Sequence, residues 1–208
     1  MHGLKVKTVE FLILFIAIPV SFALNYALAM KLVLGLLGLF YVFFVLLRVE
    51  KNKFKINPNL NWRQFWKNTL FKLSLIATLT ILFVWLTDKE NLFVVMLNKP
   101  LLWVVILFVY SLFSVYPQEI LYRIFFFQRY QALFKNDFIL VFVNAFVFSL
   151  AHLFFKNTLV LILTFLGGIL FALTYKKTKS TLLVSIEHAI YGCWLFTVGM
   201  GEMLGFPG

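Results

Sequence analysis

A single cysteine, Cys193, stands in this chain of 208 residues, so no internal disulfide can staple it. Charge is scarce too: Asp, Glu, Lys and Arg make up only 13% of the residues, where soluble domains run near a quarter. That deficit excludes an ordinary soluble domain. Strand-like alternation is also missing, because the apolar runs are continuous and too long for barrel strands, which excludes a transmembrane barrel. Acidic residues number 8 and histidines 3, so each one that falls inside an apolar run calls for an explanation.

What is present in abundance is apolar surface. Hydrophobic residues reach 62%, phenylalanine occurs 27 times and the mean hydropathy is +0.95. These values predict an all-α integral membrane protein, a polytopic transmembrane helical bundle of about seven spans. Uninterrupted runs place the spans near 11–29, 32–47, 70–86, 101–116, 138–155, 158–175 and 181–200. Residues 117–134 continue the fourth run past Pro117, either as a broken second half of that helix or as a re-entrant piece. We expect residues 1–99 to form N-terminal transmembrane helices with a basic cytoplasmic loop, "RVEKNKFKINPNLNWRQFWKN", and residues 100–208 to form the functional core. Lys5 and Lys7 precede the first run, and Ala27-x-Ala29 has the spacing of a signal-peptidase site. Glu10 at the head of that run favours an uncleaved anchor instead. Gly167 and Gly168 in one span predict close helix packing.

The formal net charge is +11. With a cytoplasmic amino terminus, the outer segments keep only Lys31, Lys89, Lys99 and Lys156 of the 19 Lys and Arg residues, and seven spans put the carboxyl terminus outside. The basic excess is therefore an orientation signal with affinity for anionic headgroups, and it gives no reason to invoke nucleic acid. The sequence specifies no oligomeric state.

Inside the apolar runs stand Glu119, Arg123, His152, Glu187 and His188. A charge at bilayer depth costs about 2.5–3.5 kcal/mol on insertion scales, so such groups need partners or a purpose. Glu119 and Arg123 are related by i,i+4, which puts them on one face of a regular α-helix. If 117–134 and 138–155 form a hairpin about "KND", Glu119 and His152 lie level, roughly 25 Å from the turn at about 1.5 Å per residue. His188 is buried by the same reasoning, though not clearly at that level. Carboxylate and imidazole together support water activation, and Glu119, His152 and His188 could also supply a zinc shell with an open water position. No His-Glu-x-x-His helix occurs. Buried Glu and His chains also mark proton relays and transporters, but the chain is small and lacks paired repeats.

Three short motifs organise these residues: "QEILYR" at 118–123, "FSLAH" at 148–152 and "HAIYG" at 188–192. They resemble the signature of the CPBP family, also called Abi, the membrane-embedded CAAX proteases and bacteriocin-processing enzymes. That signature reads Glu-Glu-x-x-x-Arg, then Phe-x-x-x-His, then a His followed four residues later by Asn. The resemblance covers roughly 100–200. It implies an intramembrane endopeptidase that hydrolyses a peptide bond of a membrane-associated or prenylated, CAAX-type protein or peptide. It further implies that Glu119 and Arg123 match the second Glu and the Arg, and His152 and His188 the two histidines, of a site in which the first Glu and first His activate water and the second His and the Asn stabilise the oxyanion; with Gln118 in the first Glu's place, we expect Glu119 and His152 to activate water, His188 to stabilise the oxyanion and Arg123 to fix Glu119. The setting it implies is the lipid bilayer of a bacterial inner membrane. Two positions depart from the signature. Gln118 replaces the first Glu and Gly192 replaces the Asn. Gln118 and Glu187 are then expected to orient substrate or water, with either no cofactor or a divalent metal. The departures also suit a catalytically inactive member acting as a peptide-binding, immunity or scaffold protein.

Overall fold

The computed structural model of the chain describes residues 2–52, 57 and 59–205. Among these residues there are helices and no strands, as the continuous apolar runs predict. The first helix, α1, covers residues 2–22 and contains a π-helical turn, Ile13–Ala17. After it come α2 (Leu28–Val49), α3 (Trp62–Thr87), the short α4 (Val94–Asn98), α5 (Pro100–Leu133), α6 (Asp137–Phe155), α7 (Thr158–Thr178) and α8 (Thr181–Val198). Part of the basic loop, at 53–56 and 58, and the last three residues lie outside the described residues.

Six of these helices are long and apolar enough to cross a membrane, one fewer than the seven runs predict. The difference lies at the first run. Residues 11–29 do not form one span, because α1 ends at Phe22 and a new helix begins at Leu28; α1 also carries Lys5, Lys7 and Glu10. The outer surface is inverted relative to a soluble protein: Phe71, Phe113, Phe138 and Leu101 are 75%, 72%, 78% and 78% exposed. Such a surface fits hydrocarbon, where burial of apolar groups against water is not the driving force.

Pro117 neither breaks α5 nor turns it back. The helix continues through it over 34 residues, Pro100–Leu133. Proline lacks the N–H that an α-helix needs and crowds the carbonyl one turn earlier. Here the preceding turns, Tyr110–Val115, are widened to π geometry, a known way for a helix to absorb such an insult. A second π segment, Ile120–Phe125, follows Glu119 directly.

The chain divides into two compact units, residues 1–55 with 120–177 and residues 56–119 with 178–208. In the first unit Phe15 is fully buried and meets Tyr122, Phe126 and Tyr130 edge-on at ring separations of 5.4–5.7 Å. Much of the phenylalanine excess serves such ring packing, worth about 0.5–1.5 kcal/mol per pair beyond area. Glu10, 8% exposed, accepts from Arg129 Nε at 2.9 Å and Nη2 at 2.8 Å, from Tyr130 at 2.6 Å and from Tyr41 at 2.8 Å. That set ties α1 to α2 and to the second half of α5. Gly168 on α7 faces Ala145 on α6, and a Cβ there would lie 2.9 Å from the Ala145 Cα, so the predicted close packing is present.

The second unit joins α3, α4, the first half of α5, and α8. Ser180 caps α8 by accepting from the Leu183 N–H at 3.2 Å, and Gly199 ends it at φ +105°, where a side chain would be strained. Trp194 Nε1 donates to Thr80 Oγ1 at 2.9 Å and Trp103 Nε1 to Thr197 Oγ1 at 3.0 Å, pinning α8 to α3 and to α5.

Candidate active site

Helix α8 sets out His188, Gly192 and Phe196 at i, i+4 and i+8, on one face. That face meets the first half of α5. Near the amino end of α5, Trp103 bonds Thr197; further along, the Tyr110 ring packs on Phe196 at 4.8 Å; at the end of this half, Glu119 reaches His188. The two helices therefore run antiparallel, and their pairing brings together two residues 69 positions apart. His188 Nδ1 lies 2.8 Å from Glu119 Oε1, with Glu119 fully buried and His188 5% exposed.

The chemistry of this pair follows from the inventory of the two groups. If Glu119 is ionised it can only accept, and the neutral imidazole is then held as the Nδ1–H tautomer with Nε2 as the ring's accepting atom. A neutral imidazole with its orientation fixed by a buried carboxylate is a competent general base. Sequence reasoning identified both members as site residues and paired Glu119 with Arg123 and His152. It found no level for His188, because that required the α5–α8 pairing.

Gln118, adjacent to Glu119, donates from Nε2 to Ser114 Oγ at 2.8 Å, one turn back on α5. Its Oε1 is buried and has no hydrogen-bond partner among the described residues. Glu187 has a different environment. Its Oε1 lies 2.7 Å from Lys72 Nζ and 3.0 Å from the Tyr191 hydroxyl, which is itself 3.2 Å from the Thr69 carbonyl. This network ties α8 to α3. Neighbouring helical positions are about 100° apart, so Glu187 and His188 face different helices.

The other two motif residues lie in the first unit. Arg123 is fully buried and donates from Nη1 to Asn144 Oδ1 at 2.7 Å, while Asn144 Nδ2 donates to the Tyr122 carbonyl at 2.7 Å. The guanidinium also sits over the rings of Phe148 at 5.1 Å and Phe171 at 5.8 Å. The i,i+4 argument assumed α geometry, but the helix changes to π geometry at Ile120, between Glu119 and Arg123. His152 was expected deep within a helix over 138–155. The α-helical part of α6 instead ends at Leu150, and His152 follows it in a turn, half-buried, with Nδ1 2.8 Å from the Phe148 carbonyl. A carbonyl only accepts, so that contact assigns the proton to Nδ1.

Among the described residues no group of three or more His, Cys, Asp or Glu side chains is placed to hold a metal ion. Three residues that hold the motif side chains or pack beside them went unnoticed in the sequence: Asn144 at Arg123, Lys72 at Glu187 and Tyr110 at Gly192. Asn144 could have been found as a lone amide in "FVNAFVF", and Lys72 as a charge two residues inside the expected span 70–86. Nothing marked Tyr110 beyond the unexplained glycine at 192.

Residues 100–194 match the model of a known protein family, described as type II CAAX prenyl endopeptidase Rce1-like, and the matched segment contains all three motifs. No curated protein and no solved structure matches the chain.

Proposed function

From that match we propose that this integral membrane protein is an intramembrane endopeptidase that hydrolyses a peptide bond of a prenylated, CAAX-type protein or peptide. The observation that carries the reading is the buried 2.8 Å contact between Glu119 and His188 within the matched segment. Glu119 orients His188; His188 Nε2 takes a proton from water as the oxygen attacks the scissile carbonyl carbon. The imidazolium so formed, stabilised by the Glu119 carboxylate, returns that proton to the departing amide nitrogen as the C–N bond breaks. Gln118 holds the water or a substrate N–H through its unpartnered Oε1. His152 is held by the Phe148 carbonyl with Nε2 as its accepting atom, and Arg123 with Asn144 holds the 120–125 segment in register. No step is assigned to a metal.

Profiling of peptide termini in membranes tests this reading. Cells expressing the wild-type chain, a His152→Ala/His188→Ala variant at matched abundance, or neither are compared. New termini present only with the wild type support hydrolysis and identify the substrate. A second reading draws on Gln118, whose amide cannot take a proton from water: a catalytically silent, peptide-binding, immunity or scaffold protein. Coincident profiles with equal accumulation would favour it.

A further inference from the structure

Gly192 is empty of side chain for a reason that lies on α5. A Cβ built at 192 would run into the Tyr110 hydroxyl and the adjoining ring edge. The Tyr110 ring lies across the notch, edge-on to Phe196 at 4.8 Å and to His188 at 6.1 Å. The three α8 positions at i, i+4 and i+8 thus make a socket with imidazole on one side, phenyl on the other and nothing between. The phenol is delivered to the level of the residue one helical turn from His188. No hydrogen bond engages its hydroxyl among the described residues.

We propose that Tyr110 is a catalytic hydrogen-bond donor, its phenol O–H stabilising the oxyanion that forms when water adds to the scissile carbonyl. This rests on the hydrolytic reading of the Glu119–His188 pair. A hydroxyl is a donor of the right kind, since it gives one hydrogen bond to a developing alkoxide and need not exchange a proton. The width of the α5 helix supports the assignment. Tyr110 opens the π segment Tyr110–Val115, and π turns are frequent at functional sites, where they re-aim side chains. Gly192 is then the complement of Tyr110: the side chain lost from α8 makes room for a polar group supplied from α5.

Binding and turnover by the full chain in proteoliposomes test this with two probes, an S-farnesylated CAAX peptide and the same peptide carrying a phosphinate in place of the scissile amide. The phosphinate mimics the tetrahedral anion. Tyr110→Phe keeps the ring in the notch and removes only the hydroxyl. We expect Tyr110→Phe to weaken phosphinate binding tenfold or more, to leave binding of the amide peptide within twofold, and to lower turnover about 10²–10³-fold. Equal weakening of both probes, or of neither, would make Tyr110 a packing residue and overturn the proposal. Wild-type turnover matched by Tyr110→Phe would sink the Tyr110 role and leave the peptidase reading standing. Absence of wild-type turnover with the phosphinate effect intact would overturn the peptidase reading, and with it the catalytic role of Tyr110, leaving only an anion-binding hydroxyl. A wild type that binds neither probe would overturn both.

Discussion

His188 Nδ1 and Glu119 Oε1 meet at 2.8 Å in a buried setting, so one residue's protonation state dictates the other's tautomer. Such a pair acts as a unit, and its members should not contribute independently. Glu119→Gln preserves the side-chain volume but offers an amide that can either donate or accept, so Nδ1 no longer has a single assigned proton. Each of Glu119→Gln and His188→Ala is expected to lower cleavage by about 10²–10⁴-fold, and the double variant to be no worse than the poorer single one. Rates on a farnesylated CAAX peptide check this. Additive losses would mean that the two residues act in separate steps.

Glu187 invites the opposite expectation, although it is the immediate neighbour of His188. Its carboxylate is spent on Lys72 and Tyr191, and the side chains of Glu187 and Lys72 are 1% and 30% exposed. Lys72→Met leaves a buried carboxylate without its cation and should destabilise the protein by about 3 kcal/mol, the low end for a buried pair because Lys72 is partly exposed. The combined Lys72→Met/Glu187→Leu variant should recover most of that loss. Thermal unfolding in detergent measures both. A double variant as unstable as the single one would show that Glu187 matters for more than this pair.

Glu10 gives a third test, at a residue that looked out of place in the sequence. A carboxylate at the head of an apolar run is tolerated because Arg129, Tyr130 and Tyr41 all donate to it. Glu10→Ala strands Arg129 with Glu50 as its remaining carboxylate partner at 2.9 Å and removes the link between α1 and α5. The expected cost is about 3–5 kcal/mol, with the protein still inserted in the membrane. Limited proteolysis from the amino terminus reports it: α1 should become the first segment cut.

The helical, membrane-spanning character was legible because it depends on composition and run length alone, and Glu119 and His188 stood out because charge is so rare in the apolar runs. Their pairing was less so. The contact of Glu119 with His188 depends on α5 packing against α8, which no local signal encodes. Pro117 shows the same limit from another side. The residue announced a break, but the π turns before it let the helix continue, and whether a helix widens or breaks is settled by what packs around it.

Gly192 and Tyr110 provide the last test, and it separates space from chemistry. The glycine is required by volume: any Cβ at 192 meets the phenol, and the phenol is held between His188 and Phe196. Gly192→Ala should therefore cost about 1–3 kcal/mol, as overpacking does in a filled interior. Tyr110→Phe cannot relieve that cost, because the ring edge stays in the notch; Tyr110→Leu, which empties it, should return most of the stability. Unfolding temperatures of the three combinations decide it. Rescue by leucine and not by phenylalanine would establish that ring volume excludes a side chain at 192, leaving the hydroxyl with no packing role and any loss of turnover in Tyr110→Phe assignable to the hydrogen bond it gives.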